Sequence, residues 1–165
     1  NSISSYQDFP KKGILFRDIS PIFADPILYG ELINEFSKLD ILLNAEAIVA
    51  IDARGFLLGA SLATKCSMPF IVARKPGKLP GNLISKNYSL EYGENSLSIN
   101  KDLLSKFKSF VIIDDLLATG GTAKCVGDIL ISEGKEVTGL AVVVELEILK
   151  GRKILPFPVS EIIRY

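Results

Sequence analysis

The stretch Phe110-Val111-Ile112-Ile113-Asp114-Asp115-Leu116-Leu117-Ala118-Thr119-Gly120-Gly121-Thr122 changes character three times. It opens with an apolar run, the pattern of a strand buried on both faces of a parallel sheet. Two carboxylates follow, then a turn rich in Thr and Gly. From Thr122 to Glu133 the spacing predicts a helix, closed by Gly134. Gly120 and Gly121 let the backbone approach a ligand closely, because no Cβ stands in the way. Unpaired amides at the start of the helix, reinforced by its dipole, make a cradle for phosphate, and Thr119 and Thr122 add hydroxyls. The stretch has neither the Gly-Lys-Ser/Thr of a P-loop nor the Gly-x-Gly-x-x-Gly of a dinucleotide fold. Asp114 and Asp115 would repel phosphate, so they call for vicinal hydroxyls, as on a ribose, or for hydrated Mg2+. A sugar phosphate fits the whole string. A plain strand-to-helix turn with a solvated acidic end would account for a bare Gly-Gly, but much less well for all of it.

Outward from this stretch the same alternation repeats. Ala47–Ile51 is a second continuous apolar run, ending at Asp52, and helical spacing follows over 54–66. Short strands are predicted over 69–73 and 137–144. Asp25-Pro26 reads as an N-cap and first helical residue, with Leu28, Leu32, Phe36 and Leu39 on one helical face. Residues 75–86 carry Pro76, Gly77, Pro80 and Gly81 among lysines, without either period, and are expected to form a long functional loop. Tyr88 to Ile99 alternates as a hairpin around Gly93-Glu94-Asn95. These elements predict an α/β fold with a mainly parallel central sheet flanked by helices, in one domain over 1–165. In such sheets ligands bind outside the carboxyl ends of the strands. Asp52-Ala53-Arg54-Gly55, Arg74-Lys75 and Asp114 to Thr122 all fall there.

Composition narrows the function classes. Of 165 residues 48% are hydrophobic and 23% charged, which suits a globular protein rather than a disordered one. Nineteen basic residues balance nineteen acidic ones, so neither a nucleic acid nor an acidic membrane is an expected partner. No apolar run approaches the roughly 20 residues of a membrane helix, and the opening Asn-Ser-Ile-Ser is unlike a signal peptide. Cys66 and Cys125 lack metal-like spacing and read as inert core thiols, which points to a reducing, cytoplasmic setting. Histidine is absent, which excludes a His base or a His-ligated zinc in this chain.

The central string closely resembles the 5-phosphoribosyl 1-pyrophosphate (PRPP) signature of the type I phosphoribosyltransferases. Phe9 to Pro21, Asp52-Ala53-Arg54-Gly55-Phe56, Arg74 to Gly81, Tyr88-Ser89-Leu90-Glu91-Tyr92-Gly93 and Glu145 to Arg152 narrow the resemblance to the adenine branch of that family. The Lys78-Leu79-Pro80-Gly81 and Leu90-Glu91-Tyr92-Gly93 segments are the most specific.

The resemblance implies transfer of ribose 5-phosphate from PRPP to N9 of adenine with Mg2+, giving AMP and pyrophosphate. It implies that Ala118, Thr119, Gly120, Gly121 and Thr122 grip the 5′-phosphate, while Asp114 and Asp115 hold the ribose hydroxyls. Adjacent side chains on a strand face opposite ways, so both acids can serve only if the chain turns there, and unequal roles are expected. Arg54 matches the pyrophosphate turn; Arg74 and Lys78 match cations that reach pyrophosphate across a homodimer interface, with Lys75 a weaker candidate. Glu91 matches the proton-transferring glutamate, on a flap hairpin that also carries Tyr92. Leu15 and Arg17, in a base-recognition segment over 1–25, match positions whose main chain reads adenine, and Phe16 and Leu149 are candidate apolar walls. The metal is expected to be held mainly through the substrate.

Two departures stand out. Ala53 replaces a frequent Ser, which removes one hydroxyl from the pyrophosphate turn, and Ser4-Ser5-Tyr6-Gln7 lacks the basic residue often found before Asp8-Phe9-Pro10. The competing functions are transfer to another purine, such as guanine or xanthine, and a PRPP-binding regulator without catalysis. Glu91 and the cationic loop argue against the regulator.

Overall fold

A computed structural model describes residues 3–9, 11–13, 15–89 and 94–165. They fall into two compact units, residues 1–35 and 36–165.

In the first unit β1 (Ser4–Gln7) and β2 (Leu15–Asp18) pair antiparallel. Between them Asp8 Oδ1 accepts the Gly13 N–H at 2.6 Å. Asp18 Oδ1 accepts both the N–H and the hydroxyl of Ser20, at 2.9 and 2.6 Å, where α1 (Ser20–Ala24) begins. Asp25 caps α2 (Pro26–Phe36) as expected: its Oδ1 takes the N–H of Ile27 at 3.0 Å and of Leu28 at 3.1 Å. The helix stops at Phe36, so Leu39 lies beyond the face on which its spacing placed it.

The second unit continues with α3 (Asp40–Leu43), β3 (Ala47–Ile51), α4 (Arg54–Cys66) and β4 (Phe70–Ala73). A hairpin of β5 (Leu83–Ser89) and β6 (Glu94–Asn100) follows, then α5 (Lys101–Leu104) and β7 (Ser109–Ile113). The chain closes with β8 (Leu116–Leu117), α6 (Gly121–Ser132), β9 (Glu136–Glu145), 3-10 turns at Glu147–Leu149 and Gly151–Ile154, and β10 (Val159–Arg164). The central sheet has the order β10-β9-β7-β3-β4, parallel at every step, with β8 added against the end of β9. The mainly parallel α/β sheet is therefore as the alternation implied.

The continuous apolar runs become the middle of the sheet. Every residue of β3 and β7 is buried, because helices cover both faces of a parallel sheet. The hairpin differs from its sequence reading. β5 already begins at Leu83, so the irregular loop is shorter than 75–86, and Glu94 and Asn95 belong to β6 rather than to the turn. The helix after the central string starts one residue early, at Gly121, and Gly134 follows its end with φ +69°, its N–H on Ile131 O.

Parallel pairing aligns the strand ends that matter. Ile51 is in register with Ala73, and Ala50 with Ile113, so Asp52, Arg74 and Asp114 emerge at one edge of the sheet. Helix α4 packs close to that sheet through Gly59, where an added Cβ would lie 2.6 Å from Ala50 Cβ and 2.8 Å from Phe70 Cε2. Exposed Gly30 in α2 has nothing within 4 Å of such a Cβ. The same substitution should thus have opposite signs. Gly30→Ala is expected to stabilise by about 0.5–1 kcal/mol through helix propensity. Gly59→Ala is expected to destabilise by about 1–3 kcal/mol through overpacking, despite the same propensity gain. Urea midpoints at unchanged slope check both.

Candidate active site

The carboxyl edge gathers Asp52, Arg54, Arg74, Asp114 and Asp115 from among the charged residues singled out from the sequence. After β3 the chain turns through Asp52 and Ala53, whose peptide bond is cis, and α4 starts at Arg54. Gly55, in the first turn of that helix, lies against the end of β7: a Cβ there would be 2.8 Å from Ile113 O and 3.2 Å from Asp114 Cα. Only glycine allows this approach. It puts Arg54 beside the acidic pair, with Nε 2.7 Å from Asp115 Oδ2. Arg74, just past β4, sets its Nε 3.0 Å from Asp52 Oδ2, and its guanidinium carbon lies 5.6 Å from the centre of the Phe56 ring. Its backbone exchanges hydrogen bonds with Ser98 of β6, at 3.0 and 2.7 Å, which fastens the hairpin to this edge.

The two acids occupy different environments, as a turn of the chain would require. Asp115 is only 8% exposed. Its N–H donates to Asp114 Oδ1 at 2.9 Å, and its carbonyl accepts the N–H groups of Val143 and Val144, both at 3.1 Å. Asp114 keeps some exposure to solvent but is deeply surrounded by protein. Burial, and then the negative Asp115 alongside, push its carboxyl well above the usual carboxylate range; the Asp115 N–H and Arg54 pull the other way.

Beyond them β8 carries the chain to a pocket lined by Asp114, by residues 116–123 and by Leu140. Gly120 has φ +84° and precedes α6. The Lys124 N–H reaches Gly120 O at 2.8 Å, so the amides before it in the helix have no intrahelical acceptor and are available to an anion. This pocket thus unites Asp114, Ala118, Thr119, Gly120, Gly121 and Thr122.

Gly151 is the residue that spacing did not single out. A Cβ on it would lie 2.1 Å from Ala118 O and 2.8 Å from Gly120 N, and one on Gly120 would lie 2.6 Å from Gly151 O. The two backbones meet here without an intervening side chain. The only sign in the sequence was that Glu145 to Arg152 belongs to a recognisable segment.

Lys75 and Lys78 are exposed in the loop after β4. Glu91 and Tyr92, the proton-transfer and flap candidates, lie outside the described residues. In the first unit Leu15 begins β2. In the same strand the Arg17 guanidinium donates to Ser5 Oγ at 2.6 Å, and Phe16 meets Phe9 edge-on with ring centres 5.1 Å apart. Leu149, in the second unit, ends a 3-10 turn and is 43% exposed. Among the described residues no three His, Cys, Asp or Glu side chains converge as a cation cage, and no helix is long and apolar enough to cross a membrane. Cys125 is buried, its thiol 3.3 Å from Lys86 O, and burial pushes it above the usual thiol range, which fits the inert role expected of it.

Comparison with known proteins agrees with this geometry. A family model described as a phosphoribosyl transferase domain matches residues 29–156. An adenine phosphoribosyltransferase of Prochlorococcus marinus is 59% identical over 96% of this chain and 92% of its own length. Another, from a second strain, is 58% identical over 99% and 95%. The crystal structure of the adenine phosphoribosyltransferase from Thermoanaerobacter pseudethanolicus superposes with a TM-score of 0.91 at 40% identity, covering 99% of this chain and 96% of that one. The Saccharomyces cerevisiae enzyme, crystallised with an imino-altritol bisphosphate and adenine, gives 0.87 at 33% identity, covering 98% and 94%. The chain belongs to the phosphoribosyl transferase family and, within it, to the adenine phosphoribosyltransferases.

Proposed function

We propose that the pocket at the carboxyl edge binds PRPP and that the chain converts adenine and PRPP to AMP and pyrophosphate, a purine-salvage reaction. The observation that supports this most is the junction of three features: free amides at the start of α6, the Asp114–Asp115 pair, and Arg54 within an ion-pair distance of that pair. In this reading the amides and hydroxyls of Ala118, Thr119, Gly120, Gly121 and Thr122 hold the 5′-phosphate. Asp114 and Asp115 accept hydrogen bonds from the ribose 2′- and 3′-hydroxyls. The bond from C1′ to the pyrophosphate oxygen breaks as the bond from C1′ to adenine N9 forms. Arg54, with Arg74 and Lys78 contributed across a homodimer interface, meets the negative charge that grows on the leaving group.

Adenine loses a ring proton as N9 bonds to carbon, and the Glu91 carboxylate is its acceptor, since the chain has no histidine. Tyr92 covers the site with it and keeps out water that would compete for C1′. The main chain at Leu15 and Arg17 reads the purine edge, and Leu149 forms an apolar wall. Mg2+, when bound with PRPP, neutralises charge on the pyrophosphate. The donor set suits a metal carried by substrate oxygens, because the described residues offer Asp114 and Asp115 beside the pocket rather than a closed cage, and Asp115 already faces Arg54. The cytoplasm is the expected location.

Three outcomes test these assignments. Labelled ribose phosphate from PRPP should pass to adenine about 10⁴-fold more efficiently than to guanine or hypoxanthine, whose reversed edge would leave main-chain partners unpaired. Efficient labelling of guanine would identify a different purine as substrate, and no labelling of any base would identify a regulator. Glu91→Gln should lower kcat by about 10²–10³ while PRPP affinity changes little, as measured by steady-state kinetics and direct titration.

The third concerns Asp114. Its native carboxyl holds a proton to higher pH than the unfolded one, so ionisation disfavours the native state as pH rises from the ordinary carboxylate range through the raised value. Asp114→Asn keeps an acceptor for the Asp115 N–H but cannot ionise. The free variant should therefore melt above wild type at pH 8, with the difference closing as pH falls below the ordinary carboxylate range. Its PRPP affinity should nevertheless drop.

A further inference from the structure

Glu145 is a buried carboxylate, 3% exposed at the end of core strand β9, with no part in the chemistry above. A carboxylate in such a place is costly unless paired and hydrogen-bonded. Its partner is Arg152: Nε lies 3.1 and 3.2 Å from the two Glu145 oxygens, and Nη2 lies 2.5 Å from Oε2. The rest of the guanidinium is also engaged. Nη1 donates to Val159 O at 2.7 Å, and Nη2 contacts Glu161. Arg164 in turn binds Glu161, its Nε 3.0 Å from Oε1. Both 159 and 161 belong to β10, so the side chain of Arg152 is fixed by two neighbouring strands of the sheet.

Arg152 follows Gly151, whose backbone abuts Ala118 O and Gly120 N. The start of the same loop is fastened to the same hub. Leu117 is in register with Glu145, and the Leu146 N–H donates to Leu117 O at 2.9 Å. Residues 118–120 are thus bounded on one side by the β8–β9 pairing and on the other by the Gly151 backbone, and both restraints converge on Glu145. The Glu145 hydrogen bonds raise the already high pKa of Arg152; at Glu161 burial is outweighed by Arg164 and Arg152, which hold its carboxyl below the usual range. Arg152 and Glu161 therefore stay charged across the neutral range.

We propose that Arg152 is a positioning residue for the phosphate loop: held by Glu145 and Glu161, it presses the Gly151 backbone against Ala118 and Gly120 and so sets the spacing of the amides that receive the 5′-phosphate. This rests on the reading of residues 118–122 as the phosphate cradle. A fork-shaped donor is needed, because a single ammonium could not reach both carboxylates and Val159 O together. The amides work only if preorganised, and small displacements in such cradles are expensive.

The discriminating measurement is the preference for AMP over adenosine, two ligands that differ only in the phosphate, taken as the ratio of their Kd values by titration. In Arg152→Gln this ratio should fall about tenfold, with the KM for PRPP rising in parallel and kcat nearly kept. Because Arg152→Gln removes the hydrogen-bonded cation of buried Glu145, leaving it only Arg164 Nε at 3.6 Å from Oε2, and can impair folding, Glu161→Gln is measured beside it. That variant retains the Glu145–Arg152 pair and should lower the ratio about threefold in a normally folded protein. Arg152→Lys should not restore the preference. A folded variant of either kind that binds AMP and adenosine equally more weakly, at an unchanged ratio, would overturn the positioning role and leave a merely structural one. A wild-type protein with no preference for AMP would instead overturn the phosphate cradle itself, and this proposal with it.

Discussion

Parallel pairing of β7, β3 and β4 is the constraint from which the site follows. Parallel strands finish at the same edge, so one pattern of registers delivers Asp52, Arg74 and Asp114 to neighbouring positions. That pairing survives only where both faces are covered, and total burial of β3 and β7 is the result. Each buried strand must end where its chain first meets polar surroundings. Chemistry can therefore begin immediately after the last apolar residue, on a base too well packed to shift.

Glycine then sets distances that side chains would spoil. Gly55 lets the first turn of α4 rest against Ile113 and Asp114, which carries Arg54 to Asp115. Gly120 and Gly151 let two backbone segments touch at the pocket. Their reasons differ. Gly120 needs both a positive φ and space, whereas Gly55 and Gly151 need only space. At these points the carbonyl or amide of another segment takes the place of a Cβ, so a methyl group is met by backbone that cannot rotate aside.

That distinction explains what the sequence disclosed. Continuous apolar runs ending in Asp were legible as β3 and β7 because burial on both faces leaves no other composition available. The Asp25 cap, the length of α4 and the glycine after α6 were legible because each is decided locally. β5 was entered too late, because its opening Leu83-Ile84 runs straight into the exposed polar Ser85-Lys86-Asn87, which breaks the apolar alternation. The edge strand β10 was missed: its Glu161 and Arg164 are ionic partners rather than apolar core. Leu39 kept helical spacing past the point where α2 stops. Asp114, Asp115 and residues 118–122 were singled out through type and order and Arg54 through the resemblance, and the structure brings them together. Gly151 was not, because what excludes a side chain there is a carbonyl more than thirty residues away in sequence, and no local pattern encodes it.

The ion pairs at the edge have a second consequence. In the free protein Arg54 faces Asp115 and Arg74 faces Asp52, so each half-exposed cation compensates a more buried acid. A carboxylate drawn out of water is costly without a cation beside it, and these two pairings supply one. An arginine offers five donors in a planar fork, more than one carboxylate oxygen uses. The fork can hold a carboxylate with one edge and present another to a second anion. Under the proposed function, charge compensation of the acids and attraction of a phosphate are tasks of the same side chain. A lysine, with one compact ammonium, would have to divide its charge between the two. Under the proposed function, geometry therefore favours arginine at 54 and 74, even though either cation would satisfy the charge.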